Sequence, residues 1–170
     1  MNSKTITIET PLAPDELVSR MRAMTVTDFA KFHDSPLAVY YGEITSHAFD
    51  IKNVRYSPMS SAPNIQGEIQ EGVNNTMIKV KIDIKEIYQI TRSMYYSTLL
   101  PIGIIVLLLS ILVLGGTEYQ LQGFLFSGFF IACPFLFVAI IKAILISIKK
   151  KELKEFTSRI NGHIVPETAG

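Results

Sequence analysis

Two long apolar runs in the second half of the chain, residues 98–116 and 124–148, constrain it more than any other feature. A helix rising about 1.5 Å per residue needs roughly 18 or more such residues to cross the ~30 Å hydrocarbon layer of a bilayer. Both runs meet that length, and only a few residues separate them. They predict a two-helix transmembrane hairpin with spans of about 98–116 and 124–148, inside a membrane segment covering residues 95–150. The 48% hydrophobic content of the 170 residues averages this saturated half with a polar first half. There is room for one small soluble module beside the hairpin, expected over residues 1–94, and for a basic tail over residues 151–170.

The distribution of basic residues predicts the orientation. Lys149, Lys150 and Lys151 follow the second run, with Lys154 beyond them, while the connector between the runs holds Glu118 and no Lys or Arg. Lys79, Lys81, Lys85 and Arg92 precede the first run. Under the positive-inside rule both termini face the cytoplasm and the connector lies outside. A re-entrant span or an inverted pair is the alternative. Residues 1–10 lack the apolar core of a secretory signal, so the module is expected to remain on the side of synthesis. Asn74-Asn75-Thr76 fits a glycosylation acceptor, which this topology places where the modification does not occur. The basic tail, Lys149 to Lys154, is read as continuing in an amphipathic helix to Ile160.

The first half reads as α+β. Residues 5–9 alternate polar and apolar as a half-buried strand does, and Pro11 ends them. Pro14-Asp15-Glu16 opens a short helix to about Met24, with proline preset for the first turn and two acids at the positive end of the dipole. Phe29 and Phe32 mark a second short helix or an irregular stretch. Four strands then follow, at 37–45, 49–56, 64–70 and 76–84, as a small antiparallel β-meander. In the last, Ile78, Val80, Ile82 and Ile84 alternate with Lys79, Lys81, Asp83 and Lys85. The proline-punctuated residues 57–63 form a loop, read as a connector or a contact site.

Tyr41-Gly42-Glu43-Ile44, Phe49-Asp50-Ile51, Arg55-Tyr56, Ile65-Gln66-Gly67-Glu68-Ile69 and Ile78-Lys79-Val80-Lys81-Ile82, ahead of two hydrophobic helices, resemble a group of uncharacterised bacterial membrane proteins. The resemblance runs from Tyr40 to the end of the second apolar run. It implies a strand-rich cytoplasmic module before a two-helix hairpin in the bacterial inner membrane, and it carries no activity with it. Ser57-Pro58-Met59-Ser60-Ser61-Ala62 departs from the basic and aromatic loop of the group.

No catalytic or cofactor motif is present. His33, His47 and His163 are scattered, and Cys133 is the single cysteine, so neither a zinc site nor an internal disulfide is expected. Phosphate-loop, nucleophile-elbow and H-E-x-x-H patterns are missing. A net charge of +1 gives no general attraction to nucleic acid. The expected partners are therefore membrane lipids and either a protein partner or further copies of the chain. Lys142 lies inside the second run, where a central lysine costs about 3 kcal/mol on insertion scales. Its stem either snorkels to the headgroups or meets a lipid phosphate or a partner acid, and Lys149, Lys150 and Lys151 form the same basic surface. Gly128, Ala132, Ala139 and Ala143 fall within about 60° in helical projection and predict a helix-packing face, within the hairpin or between copies. Gly103 and Ser110 form one side of the first span. Pro134 is expected to kink the second span, whereas Pro101 falls in the first turns of its own. The function expected from these features is a non-enzymatic, membrane-anchored binding, adaptor or protective protein. The alternatives are a subunit of a small oligomeric channel or transporter, and an enzyme whose residues are dispersed.

Overall fold

The computed structural model describes residues 5–32, 35–54, 63–72 and 75–166. The expected loop at 57–62, along with His33, Arg55, Tyr56 and Asn74, lies outside them. The chain is α+β, as anticipated, and divides into two compact units. One contains the described residues up to Lys85 together with those from Ser147 onward; the other is Glu86–Ile146.

The first unit is built on a sheet with strands β1 (Ile6–Thr10), β2 (Thr25–Val26), β3 (Tyr40–Ile44), β4 (Ala48–Asn53), β5 (Asn64–Glu71), β6 (Thr76–Asp83) and β7 (His163–Val165). Their spatial order is β2-β3-β4-β5-β6-β1-β7. The four-strand meander is its centre, β3 to β6, paired antiparallel throughout. β1 joins antiparallel to β6, and β2 runs parallel to β3 at the far edge. Period-2 alternation assigns the faces. Ile8, Ile78, Val80, Ile82, Ile65, Ile69, Phe49, Ile51 and Tyr40 point to one side and are buried. Glycine at position 67 leaves room for the Phe49 ring across the strand pair, since a Cβ there would lie 2.3 Å from Phe49 Cζ. Gly42 has a φ of +147°, a backbone conformation that side-chain-bearing residues rarely adopt, and its place beside the Asp50 carbonyl has no space for a Cβ.

Helix α1 (Pro14–Ala23) starts on Pro14, carries Asp15 and Glu16 in its first turn, and covers the buried face with Leu17, Val18 and Met21. The Thr25 hydroxyl donates to the Met21 carbonyl as the chain leaves the helix. The stretch that read as a second short helix is β2 followed by a single 3-10 turn, Phe29–Phe32.

The second unit consists of most of α2 (Lys85–Leu112) and most of α3 (Gln120–Arg159), joined by residues 113–119. α2 starts well before its apolar segment and stops at Leu112, short of the segment's end at residue 116, whereas α3 extends past its segment at both ends. The Asp83 carboxylate accepts from the Lys85 amide at 2.7 Å and so starts α2 well before the first run, with no Gly or Pro to interrupt residues 85–97. Pro101 therefore falls in mid-helix, which corrects its expected place in a first turn. Gly115 and Gly116 follow the end of α2, the latter at a φ of +78°. α3 continues through Pro134.

The last residues of α3 and β7 belong to the sheet unit, where the sequence suggested a separate tail over 151–170. Leu153, Phe156 and Ile160, spaced three and four apart, seat this end of the helix on the buried face of the sheet. The Phe156 ring meets Phe49 at 5.4 Å and Tyr40 at 6.3 Å between centroids. A Schellman turn ends the helix: Asn161, at a φ of +50°, donates its amide to Ser158 O, and Gly162 donates to Thr157 O. The chain thereby doubles back, and β7 pairs antiparallel with β1.

Candidate functional site

The opposite face of the sheet is where chemistry is on offer. Alternation that buries the isoleucines of β6 turns Lys79 and Lys81 outward, and the same parity holds across the register. One row reads Glu43, Asp50, Gln66, Lys81, and the next Ala48, Glu68, Lys79, Thr7. Acids thus stand on β3, β4 and β5, and bases on β6. Glu68 lies directly opposite Lys79, and the Gln66 amide donates to an Asp50 carboxylate oxygen at 2.9 Å. Lys81 is 4.0 Å from Asp83. An open cavity of about 500 Å³ lies over this surface, lined by Thr5, Glu43, Asp50, Gln66, Glu68 and Lys81 among others. Paired donors and acceptors of both signs on a rigid sheet suit a polar partner surface. Among the described residues no three His, Cys, Asp or Glu side chains gather in a metal-binding group. His47 stands exposed at the β3–β4 turn, and His163 lies 3.4 Å from Glu9 at the β1–β7 edge.

A buried polar pair marks the seat of α3 on the sheet. Glu152 is 2% exposed and Asn53 1%. The Asn53 side-chain amide donates to both Glu152 carboxylate oxygens, at 3.0 and 3.3 Å. Thr10 donates its hydroxyl to Ile160 O at 2.8 Å nearby. None of these residues was a sequence candidate. The period of Leu153, Phe156 and Ile160, followed by Asn161-Gly162 and the β-prone His163-Ile164-Val165, is the signal that identifies this segment.

The hairpin places the other candidates. Gly103 and Ser110 are buried on one side of α2, as their spacing suggested. A Cβ on Gly103 would lie 2.7 Å from Ile131 Cγ1, and the Ser127 hydroxyl donates to Gly103 O at 2.9 Å. Ser110 donates to Val106 O at 2.7 Å and sits against Gly123. Tyr95 and Tyr96 stack on Phe137 and Phe135 at 5.6 and 5.4 Å. On α3 the buried residues of this unit are Ser127, Pro134, Val138 and Leu145, with Ile131 and Ile141 half-buried between them. That is an a/d spacing. Gly128, Ala132, Ala139 and Ala143 are exposed on a different side, and nothing lies within 4 Å of a Cβ built on Gly128. The seam within the hairpin thus runs on another side of α3 from these four residues. The seam mixes sizes, with Ile131 against Gly103, Gly123 against Ser110 and Phe137 against Tyr95. Lys142 is exposed on α3, as are Lys150 and Lys151, while Lys149 is half-buried.

Both helices are long and apolar enough to cross a membrane, and only 11% and 17% of their most apolar stretches are buried. Comparison with known proteins finds no match to this chain among family models, curated proteins or solved structures. The architecture itself, strands followed by two long apolar helices, agrees with the resemblance drawn from the sequence.

Proposed function

We propose that the protein is a non-enzymatic, membrane-anchored binding protein. The hairpin crosses the bacterial cytoplasmic membrane twice with its connector outside, and the sheet offers its charged face to a protein partner in the cytoplasm. The observation that carries this reading is the discontinuous sheet unit. Strands from before the hairpin and a helix end and strand from after it share one core. Two flanks that fold together lie on the same side of a bilayer, so the number of crossings between them is even. Two apolar helices with mostly exposed surfaces satisfy that condition, and the Lys-rich flanks choose the cytoplasmic side for it. The partner reading rests on the open face, where acids and bases of neighbouring strands line a cavity of about 500 Å³.

Two measurements test it. In a Cys133→Ser background, a membrane-impermeant thiol reagent added to intact cells is expected to label Thr117→Cys and to spare Lys79→Cys until the cells are opened. Labelling of both in intact cells overturns the topology. A photo-crosslinker at Gln66 is expected to give a discrete protein adduct that disappears with Lys79→Glu/Lys81→Glu while membrane insertion is unchanged. Failure of every open-face position to give an adduct overturns the binding role.

A further inference from the structure

A second concave surface lies at the end of α3, where the helix, its Schellman turn and β7 form a groove of about 490 Å³. Lys150, Lys154 and Ser158 line it at intervals of four residues, so about 40° of rotation separates each from the next and all three stand on one side of the helix. Leu153 and the half-exposed Ile164 supply its apolar wall. No carboxylate is among its lining residues. The acids that neighbour it in sequence are engaged elsewhere, Glu152 in the core with Asn53 and Glu155 with Arg159 at 2.9 Å. Two cations with no competing carboxylate match the phosphate of a phosphodiester.

Depth along the helix selects the source of that phosphate. The apolar run ends at Ile148, so Lys150 and Lys154 lie about 3 and 9 Å further along the axis. The headgroup layer on one side of a bilayer is about 5–8 Å thick, so Lys150 lies within it, and the long Lys154 side chain reaches back to it because helical side chains lean toward the helix N-terminus. We infer that this groove binds the headgroup of an anionic phospholipid of the inner leaflet, with Lys150 and Lys154 on the phosphate. The inference rests on the proposed bilayer crossing by the hairpin. Position sets this pair of lysines apart from Lys79 and Lys81, which belong to the open sheet face.

The test uses the full chain in liposomes of phosphatidylcholine with increasing phosphatidylglycerol. Ile164→Trp reports from the groove wall, since the chain has no other tryptophan. A saturable change in emission with phosphatidylglycerol is expected. At about fivefold per interfacial lysine, Lys150→Gln/Lys154→Gln should weaken it about twenty-fivefold. Lys79→Gln/Lys81→Gln should leave it within about twofold, because long-range attraction to the surface is screened beyond about a Debye length. An equal response to phosphatidylcholine alone, an equal loss from both lysine pairs, or the same emission change with inorganic phosphate in lipid-free detergent would each overturn the groove. Flotation with pure phosphatidylcholine liposomes separates the two readings: a chain that floats without a specific response loses only the groove, and one that does not float loses the bilayer crossing as well.

Discussion

The two units of this protein obey opposite rules of burial. In the sheet unit the isoleucines, Phe49 and Phe156 are hidden, and Lys, Glu and Gln are displayed. In the hairpin Ser110 and Ser127 are 1% and 0% exposed, while Leu125 and Phe129 are 67% and 62% exposed. One chain thus carries two solvents' worth of instruction. Where water surrounds the fold, apolar area drives the packing. Where the surroundings are as apolar as leucine, close approach of backbones and satisfied hydroxyls hold helices together instead. Gly103 against Ile131 and Ser127 on the Gly103 carbonyl are that second kind of contact.

The contrast can be broken most forcefully at Phe156. Its truncation to Ala empties the centre of the aromatic cluster with Phe49 and Tyr40 and is expected to cost about 3–5 kcal/mol, read by denaturant titration of the β-sheet circular dichroism. Phe129→Ala, in the exposed part of the hairpin, should leave that titration within about 0.5 kcal/mol. A smaller effect is expected at Glu152. Replacement by Ala removes both carboxylate acceptors from the buried Asn53 amide, a loss of about 1–3 kcal/mol, with faster hydrogen exchange in β4 and in residues 150–160 as its signature. Gly103→Leu inverts the hairpin's rule by placing a large side chain where Ile131 already sits. Overpacking of about 1–3 kcal/mol is expected, and the distance between spin labels on the two helices should widen while the sheet unit keeps its stability. Ser127→Ala is the mildest probe, at about 0.6 kcal/mol of helix association, measured by the same labels.

The sequence made much of this plain where a pattern had a single physical meaning. Unbroken apolar length announced α2 and α3, strict alternation announced β6, and Pro14-Asp15-Glu16 announced α1. Gly103 and Ser110 were legible because two small residues a heptad apart on an otherwise bulky helix have few other uses. Within the hairpin, α3 meets α2 on another side than Gly128, Ala132, Ala139 and Ala143, because residue size alone does not say which side of a helix faces its neighbour: the seam pairs Gly103 with Ile131 and Ser110 with Gly123. The end of α3 was obscured by its lysines, which orient a membrane segment and equally decorate the wet side of an amphipathic helix. Lys150, Leu153 and Lys154 do both: the apolar stripe reaches the sheet core while the cations remain outside. The buried Glu152 had no sequence signature, because its partner Asn53 is ninety-nine positions away. The open-face rows depend on register, and alternation within a strand fixes which residues point outward but not which neighbour they face across the sheet.

The bond from the Thr10 hydroxyl to Ile160 spans 150 positions, and its consequence falls on the order of events during synthesis. A ribosome delivers β1 through β6 first, then the two long apolar segments, and only afterwards Leu153, Phe156 and Ile160, which complete the core of the sheet. Until that final stretch emerges, the isoleucine surface of the nascent strands is covered by α1 alone, and apolar area left open in this way favours aggregation.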